Sequence, residues 1–245
     1  PIDSGTGANC HPGICVDNQD HVHIAYSAND QVLYSLNAEA PEVIAQTGSG
    51  YGNTAIQTDS LNQPWIVYYD NLSGEIKTIR DNGRTWETTV INDALDPGDS
   101  LELALDANDH AHIVYKDNAT STLNYAIVRD DYVFCDVIDT DVPESMNCGI
   151  KVRDDERVLV SYYDGMLNVA DCTVTCLNHG DANLDGEITS EDAQIAFLVA
   201  LGVVSPGFSQ HCAADCNGDY EVTSGDAQQI FLVVFGLDSC IDELS

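Results

Sequence analysis

Short runs along the first two thirds of the chain alternate apolar with polar positions. "HVHIAY", "PWIVYY", "HAHIVY" and "RVLVSYY" are the clearest, each rich in β-branched and aromatic residues and bounded by Asp, Asn and Gly. A period of two between turn residues predicts half-buried strands. Aligned on Tyr26, Tyr68, Tyr115 and Tyr162, the runs recur at intervals of 42, 47 and 47 residues. Each repeat has an apolar strand ending in Asp, a polar turn, the tyrosine strand, another turn, and a strand such as "QVLYSLN" or "TLNYAIV". Asp17, Asp59 and Asp106 precede the central strand at matching places, and Asp154 nearly does so in the last copy. A period in the forties with about four strands per unit predicts a small, about four-bladed β-propeller over residues 1–176. The N-terminal "PIDSG" is expected to supply a closing strand, an open sandwich of similar strands being the other arrangement.

At about residue 177 the period changes. "SEDAQIAFLVALG" and "SGDAQQIFLVVFG" place apolar residues on a helical stripe and finish in Gly, a helix stop signal. Residues 177–245 therefore read as a small domain of two short helices, and the whole chain as mostly β with an α-helical tail. The apolar stretches "IAFLVALGVV" and "IFLVVF" are too short to cross a bilayer.

An acidic loop precedes each helix: "GDANLDGEITSED" and "ADCNGDYEVTSGD". Carboxylates this close repel one another, so a cation is expected among them. Calcium takes six to eight oxygens, which a tight loop supplies from side chains at positions 1, 3 and 5, a carbonyl at 7, a water-holding residue at 9 and a carboxylate at 12. In the first loop these are Asp181, Asn183, Asp185, Glu187, Thr189 and Asp192, with Gly186 at the sharp turn. In the second they are Asp215, Asn217, Asp219, Glu221, Thr223 and Asp226. Ile188 and Val222 match at position 8, whereas Tyr220 stands where glycine is preferred, predicting a strained turn and a weaker second site.

These motifs carry two resemblances. The repeats resemble the "HIAY"-type blades of bacterial extracellular β-propellers. The paired loops, each with Asp at position 12 and a helix after it, resemble a type I dockerin over about residues 178–238. That resemblance implies two bound calcium ions, a compact pair of helices and a cohesin partner domain. It places Ser190, Glu191, Ser224 and Gly225 at the cohesin contact, where Glu191 and Gly225 depart from the usual Ser-Thr or Ser-Ser. Cysteines are unusual for the family; Cys176 and Cys240 bracket the module and are expected to clasp its ends.

Composition narrows the partners. Eight Lys plus Arg face 41 Asp plus Glu, a formal net charge of −33. Nucleic acid and anionic membrane surfaces are excluded, since both need a basic face. Nine cysteines fall in clusters, Cys10 with Cys15, Cys135 with Cys148, Cys172 with Cys176, and Cys212 with Cys216, followed by Cys240. They read mainly as disulfides of an exported protein whose leader has been removed. Zinc is the rival for the two equally spaced pairs Cys172/Cys176 and Cys212/Cys216.

Catalytic signals are thin. "DNGRTW" (81–86) resembles the Asp-box hairpin turn of sialidase-type propellers, a structural feature, and the arginines show no convergence on a carboxylate substrate. His23 and His112 alternate with apolar residues and read as packing; His21 and His110 fall in turns and read as solvated. The expectation is a secreted, non-catalytic assembly or adhesion protein. Its dockerin-like module would dock onto a cohesin-like domain or another copy of the chain, the direct junction "DCTVTCLNHGD" favouring a head-to-tail filament. A glycoside-active enzyme and a carbohydrate-binding, lectin-like propeller are the alternatives.

Overall fold

The structure, a computed structural model of the 245-residue chain, describes residues 10–48, 52–92, 97–129, 132–143, 146–153, 157–173, 179–204, 206, 208–218 and 221–240. The chain divides into two compact units, Pro1–Thr173 and Val174–Ser245.

Four antiparallel sheets follow one another along the first unit. Blade one comprises β2 (Gly13–Val16), β3 (Val22–Ala28), β4 (Gln31–Leu36) and β5 (Glu42–Gln46). Blade two comprises β6 (Gly52–Thr58), β7 (Pro64–Asp70), β8 (Glu75–Asp81) and β9 (Trp86–Asn92). Blade three comprises β10 (Pro97–Leu105), β11 (Ala111–Asp117), β12 (Thr122–Arg129) and β13 (Tyr132–Asp139). Blade four has three strands among the described residues: β14 (Cys148–Val152), β15 (Arg157–Tyr163) and β16 (Leu167–Thr173). Inner strand β6 packs against β2 on one side and β10 on the other, and β10 packs against β14. Among the described residues β14 makes no comparable contact with β2. "PIDSG" lies outside the described residues. The short strand β1 (Cys10–His11) pairs in parallel with β6, with Cys10 opposite Gly52, and so extends blade two.

One turn, built three times, explains the repeat. Asp17 Oδ1 accepts from the backbone N–H groups of Gln19 and His21 at 2.8 and 2.9 Å. Asp59 Oδ1 does the same for Leu61 and Gln63 at 2.9 and 2.8 Å, and Asp106 Oδ1 for Asn108 and His110 at 2.8 and 2.9 Å. A short acidic side chain can cap its own turn in this way, which is why Asp recurs there. Asp20, Asn62 and Asp109 take left-handed φ values of 63°, 62° and 65° at one shared place, a conformation Asp and Asn tolerate. In blade four the Arg153 N–H donates to the Arg157 carbonyl across the corresponding turn, so Arg153 holds the position of the capping Asp. Asp154 lies outside the described residues.

The blades are glued face to face. Ala25, Val32 and Tyr34 of blade one meet Ile56, Ile66, Tyr68 and Ile79 of blade two. Ala55, Trp65, Val67 and Ile76 of blade two meet Leu103, Ile113 and Tyr115 of blade three. Each large apolar side chain removed from water contributes roughly 1.5–3 kcal/mol. The "DNGRTW" hairpin is structural: Asp81 Oδ1 accepts from the Gly83 N–H and Asn82 Oδ1 from the Thr85 N–H, and Trp86 meets Tyr34 edge-on at 5.2 Å.

Among its described residues the second unit has three helices where the sequence predicts two: α1 (Ser190–Ala200), α2 (Phe208–Ala214) and α3 (Ser224–Val234). Helices α1 and α3 are twins. Thr189 and Thr223 cap their N-termini in capping boxes with Asp192 and Asp226. Gly202 and Gly236, at φ 67° and 66°, end them, each with the following N–H reaching back to Leu198 or Leu232, a Schellman closure. Their shared core is largely alanine: Ala182, Ala193, Ala196, Ala214 and Ala227, with Val222 and Ile230.

Candidate functional site

Both acidic loops fold alike. In each, the carboxylate at position 12 is fully buried and clasps the chain at two points. Asp192 Oδ1 accepts from the Asn183 N–H at 3.0 Å and its Oδ2 from the Thr189 N–H at 2.7 Å. Asp226 repeats this with Asn217 at 3.2 Å and Thr223 at 2.9 Å. At position 1, buried Asp181 accepts from the N–H groups of Asp185 and Gly186, and buried Asp215 from that of Gly218. Asn183 and Asp185 are tied to each other at 2.9 Å, and Asp185 accepts from the Glu187 N–H. Glu187 and Glu221 are exposed, as a residue offering only its carbonyl can be. Gly186 takes φ 92° at the expected turn; Asp219 and Tyr220 lie outside the described residues, as does the strain expected there.

Do these residues suit a cation? Among the described residues no three Asp, Glu, His or Cys side chains converge in a cage, because the loop carboxylates turn onto backbone N–H donors. The charge balance points the other way. All eight Lys and Arg lie between Lys77 and Arg157, leaving the second unit without one basic Lys or Arg side chain. The donors described above for the four buried carboxylates are neutral backbone N–H groups. The donor set is all oxygen, the chemistry of a hard divalent ion rather than of zinc.

Sequence periodicity misses His179. Its Nδ1 bonds the Asp215 carbonyl, joining the approach to the first loop with position 1 of the second. A single His two residues before Asp181 carries no spacing signal that would reveal this. Ser190, Glu191, Ser224 and Gly225 are exposed in the first turns of α1 and α3. Beyond them each twin exposes an apolar pair one turn apart, Phe197 with Leu201 and Phe231 with Phe235.

The cysteine expectations need correction. Cys15, Cys135 and Cys148 are free thiols, so neither Cys10–Cys15 nor Cys135–Cys148 is a bridge. Burial pushes Cys15 up to about 11 and Cys148 up to about 12, which leaves both poor nucleophiles at neutral pH. Cys240 bonds Cys216, which replaces the expected Cys176–Cys240 clasp and the Cys212/Cys216 pairing. Cys212 is disulfide-bonded as well. Cys176 and the side chains of Cys10 and Cys172 lie outside the described residues. The pairing follows tertiary approach: the chain after α3 folds back over the second loop, a proximity that sequence spacing does not encode.

In the blades, His and Asp form the same buried array twice. Asp17 Oδ2 lies 2.9 Å from His21 Nδ1 and 3.4 Å from His23 Nε2, and His23 Nδ1 meets the Tyr34 hydroxyl at 2.8 Å. Asp106, His110, His112 and Tyr125 repeat it at 2.9, 3.4 and 2.6 Å. His110 is thus mostly buried and bonded rather than solvated, and His21, though partly exposed, is bonded too. Burial opposes charge on both aspartates, yet hydrogen bonds from these histidines and from turn N–H groups hold their carboxyls well below the usual range. Burial pushes His112 down. Blade two places Gln63 and Trp65, and blade four Arg157 and Leu159, where blades one and three have histidines, so this array is a variable way of filling one structural position.

A cavity of about 350 Å³ lies where the inner strands meet, bordered by polar Asn53, Thr54, Gln57, Ser100 and Glu102. Burial raises the Glu102 carboxyl.

Blade-like sheets followed by a small helical unit define a mostly β, propeller-like protein. No protein-family model matches the chain, and no curated protein matches it. Similar solved structures include AofleA from Arthrobotrys oligospora, at 11 % identity and TM-score 0.49 over 67 % of this chain and 56 % of that one. The SapL1 lectin in complex with alpha methyl fucoside is similar at 13 % identity and TM-score 0.43, over 66 % of this chain and 62 % of its own. Virginiamycin B lyase from Staphylococcus aureus is similar at 12 % and 0.41, over 66 % and 59 %. The chain therefore spans less than two thirds of the length of the proteins it matches.

Proposed function

We propose that this is an exported, non-catalytic docking protein whose helical unit, held by two calcium ions, binds a partner protein. The observation that carries the reading is the set of four buried carboxylates, Asp181, Asp192, Asp215 and Asp226, in a unit without Lys or Arg. Two carboxylates about 4 Å apart repel by roughly 4 kcal/mol at an effective dielectric near 20. A divalent ion in each loop removes that cost. Asp181, Asn183, Asp185, Thr189, Asp192 and the Glu187 carbonyl would hold one ion; Asp215, Asn217, Asp219, Thr223, Asp226 and the Glu221 carbonyl the other. The exposed Ser190, Glu191, Ser224 and Gly225, with the apolar pairs on α1 and α3, form the docking surface. A cohesin-like domain is the partner this arrangement suits. The disulfide Cys216–Cys240 fits an extracellular setting.

Calcium titration followed by calorimetry tests the reading: two ions bind, and EDTA lowers the melting temperature of the helical unit. An unchanged melt removes it. Titration with a cohesin-type domain, with and without Phe197→Glu, then reads the surface.

The polar cavity between the inner strands favours a second role, binding a carbohydrate in the propeller-like unit. A glycan array read with wild type and Glu102→Gln tests it.

A further inference from the structure

The repeat allows each blade to be compared register by register. In blades two and three, the side facing the preceding blade is buried: Ile66 and Tyr68, then Ile113 and Tyr115, are at most 3 % exposed. Ile24 and Tyr26 hold those places in blade one and are only half-buried. Ile14, paired with Ile24 as Ile56 is with Ile66, is 66 % exposed. The far end mirrors this. Leu123 and Tyr125 of blade three are buried, whereas Leu167 and Val169, at the same register in blade four, are 75 % and 64 % exposed.

A polar ladder links the turns of blades one to three. The Asn18 N–H donates to Asn62 Oδ1 at 3.1 Å, and the Ser60 N–H to Asp109 Oδ1 at 2.7 Å, each linking one blade's turn to the next. Asp20 shares the left-handed position of Asn62 and Asp109. It is the acceptor that the turn of a preceding blade would fill.

We propose that a second copy of this chain covers both ends, blade four of each copy packing on blade one of the other. Continuity with the interblade contacts is the argument: Ile14, Leu167 and Val169 are exposed at the apolar register that is covered between neighbouring blades. The area selects a closed pair. Four strands about 4.8 Å apart, with about seven residues of ~3.3 Å each, present a face of roughly 400 Å². A stable interface takes about 800 Å² from each partner, so one junction falls short and two reach it. Head-to-tail contacts that close on themselves give a ring rather than a filament. This pairing is independent of the docking function proposed for the helices.

Sedimentation velocity of the full chain, in calcium and in EDTA, tests it. The expected particle has twice the mass of one chain in both buffers. Ile14→Arg and Val169→Arg, both at exposed positions, each weaken association about tenfold or more while the sheets keep the far-UV circular dichroism of the wild type. Asp20→Lys gives a smaller loss. A single-chain mass at 100 µM (roughly the upper range for a specific contact) overturns the proposal. So does a pair indifferent to both arginine substitutions, or one that dissolves in EDTA.

Discussion

In the first unit, sheets bury Ile, Val and Tyr against one another, whereas five alanines dominate the core of the second. Alanine removes little apolar area, so packing alone gives the helical unit a thin margin. The missing stability comes from other sources: a disulfide, two capping boxes and, on the proposed reading, two ions. The sheets hold all the Lys and Arg of the chain and have ion pairs such as Lys77–Asp70 at 2.6 Å, while the helices have none to spend. One chain thus shows two ways of staying folded, by apolar mass and by clasps.

The contrast can be broken from either side. Ile113→Ala deletes a fully buried side chain between blades and should cost about 2–5 kcal/mol. Urea unfolding should show the sheet transition at lower denaturant with the helical transition unmoved. Cys240→Ser opens the disulfide and should cost the helical unit about 3 kcal/mol, read as a drop in its melting temperature alone. Thr189→Ala removes one cap and should cost about 1 kcal/mol in the same transition.

Acid should act most gently at first, and on the sheets. Burial depresses His112, so the folded state favours the neutral ring; its stability is present above about pH 6.5 and falls as pH drops through the folded value. Asp17 and Asp106 are depressed too, so their contribution is present above about pH 4 and lost below it. The melting temperature of the sheets should therefore decline in two stages on acidification. His112→Gln should flatten the upper stage and leave the lower.

Much of this was legible beforehand because it is local. Tyr26, Tyr68, Tyr115 and Tyr162 mark the blades since period-two burial repeats with the fold, and Gly202 and Gly236 end the twin helices where the sequence places them. Helix α2 was not, because "FSQHCAA" offers only about two turns and no amphipathic stripe. Thiol pairing was not either, since Cys216 and Cys240 meet only after α3 has packed. The partner role of His179 likewise exists only between two loops distant in sequence. The exposure of Ile14 and Val169 was hidden for a different reason: period-two alternation marks which side of a strand a residue takes, not whether a neighbour covers that side.

Gly180 sits at φ 98°, and a Cβ there would lie 2.8 Å from the Cys240 sulfur and 3.0 Å from Ile188. The bridge that fastens the second loop is therefore also the lid pressing on the threshold of the first. Glutathione, by parting one sulfur–sulfur bond, would slacken both halves of the tandem at once. The shape of this unit is thereby tied to the redox state of its surroundings, and an oxidising compartment fits it.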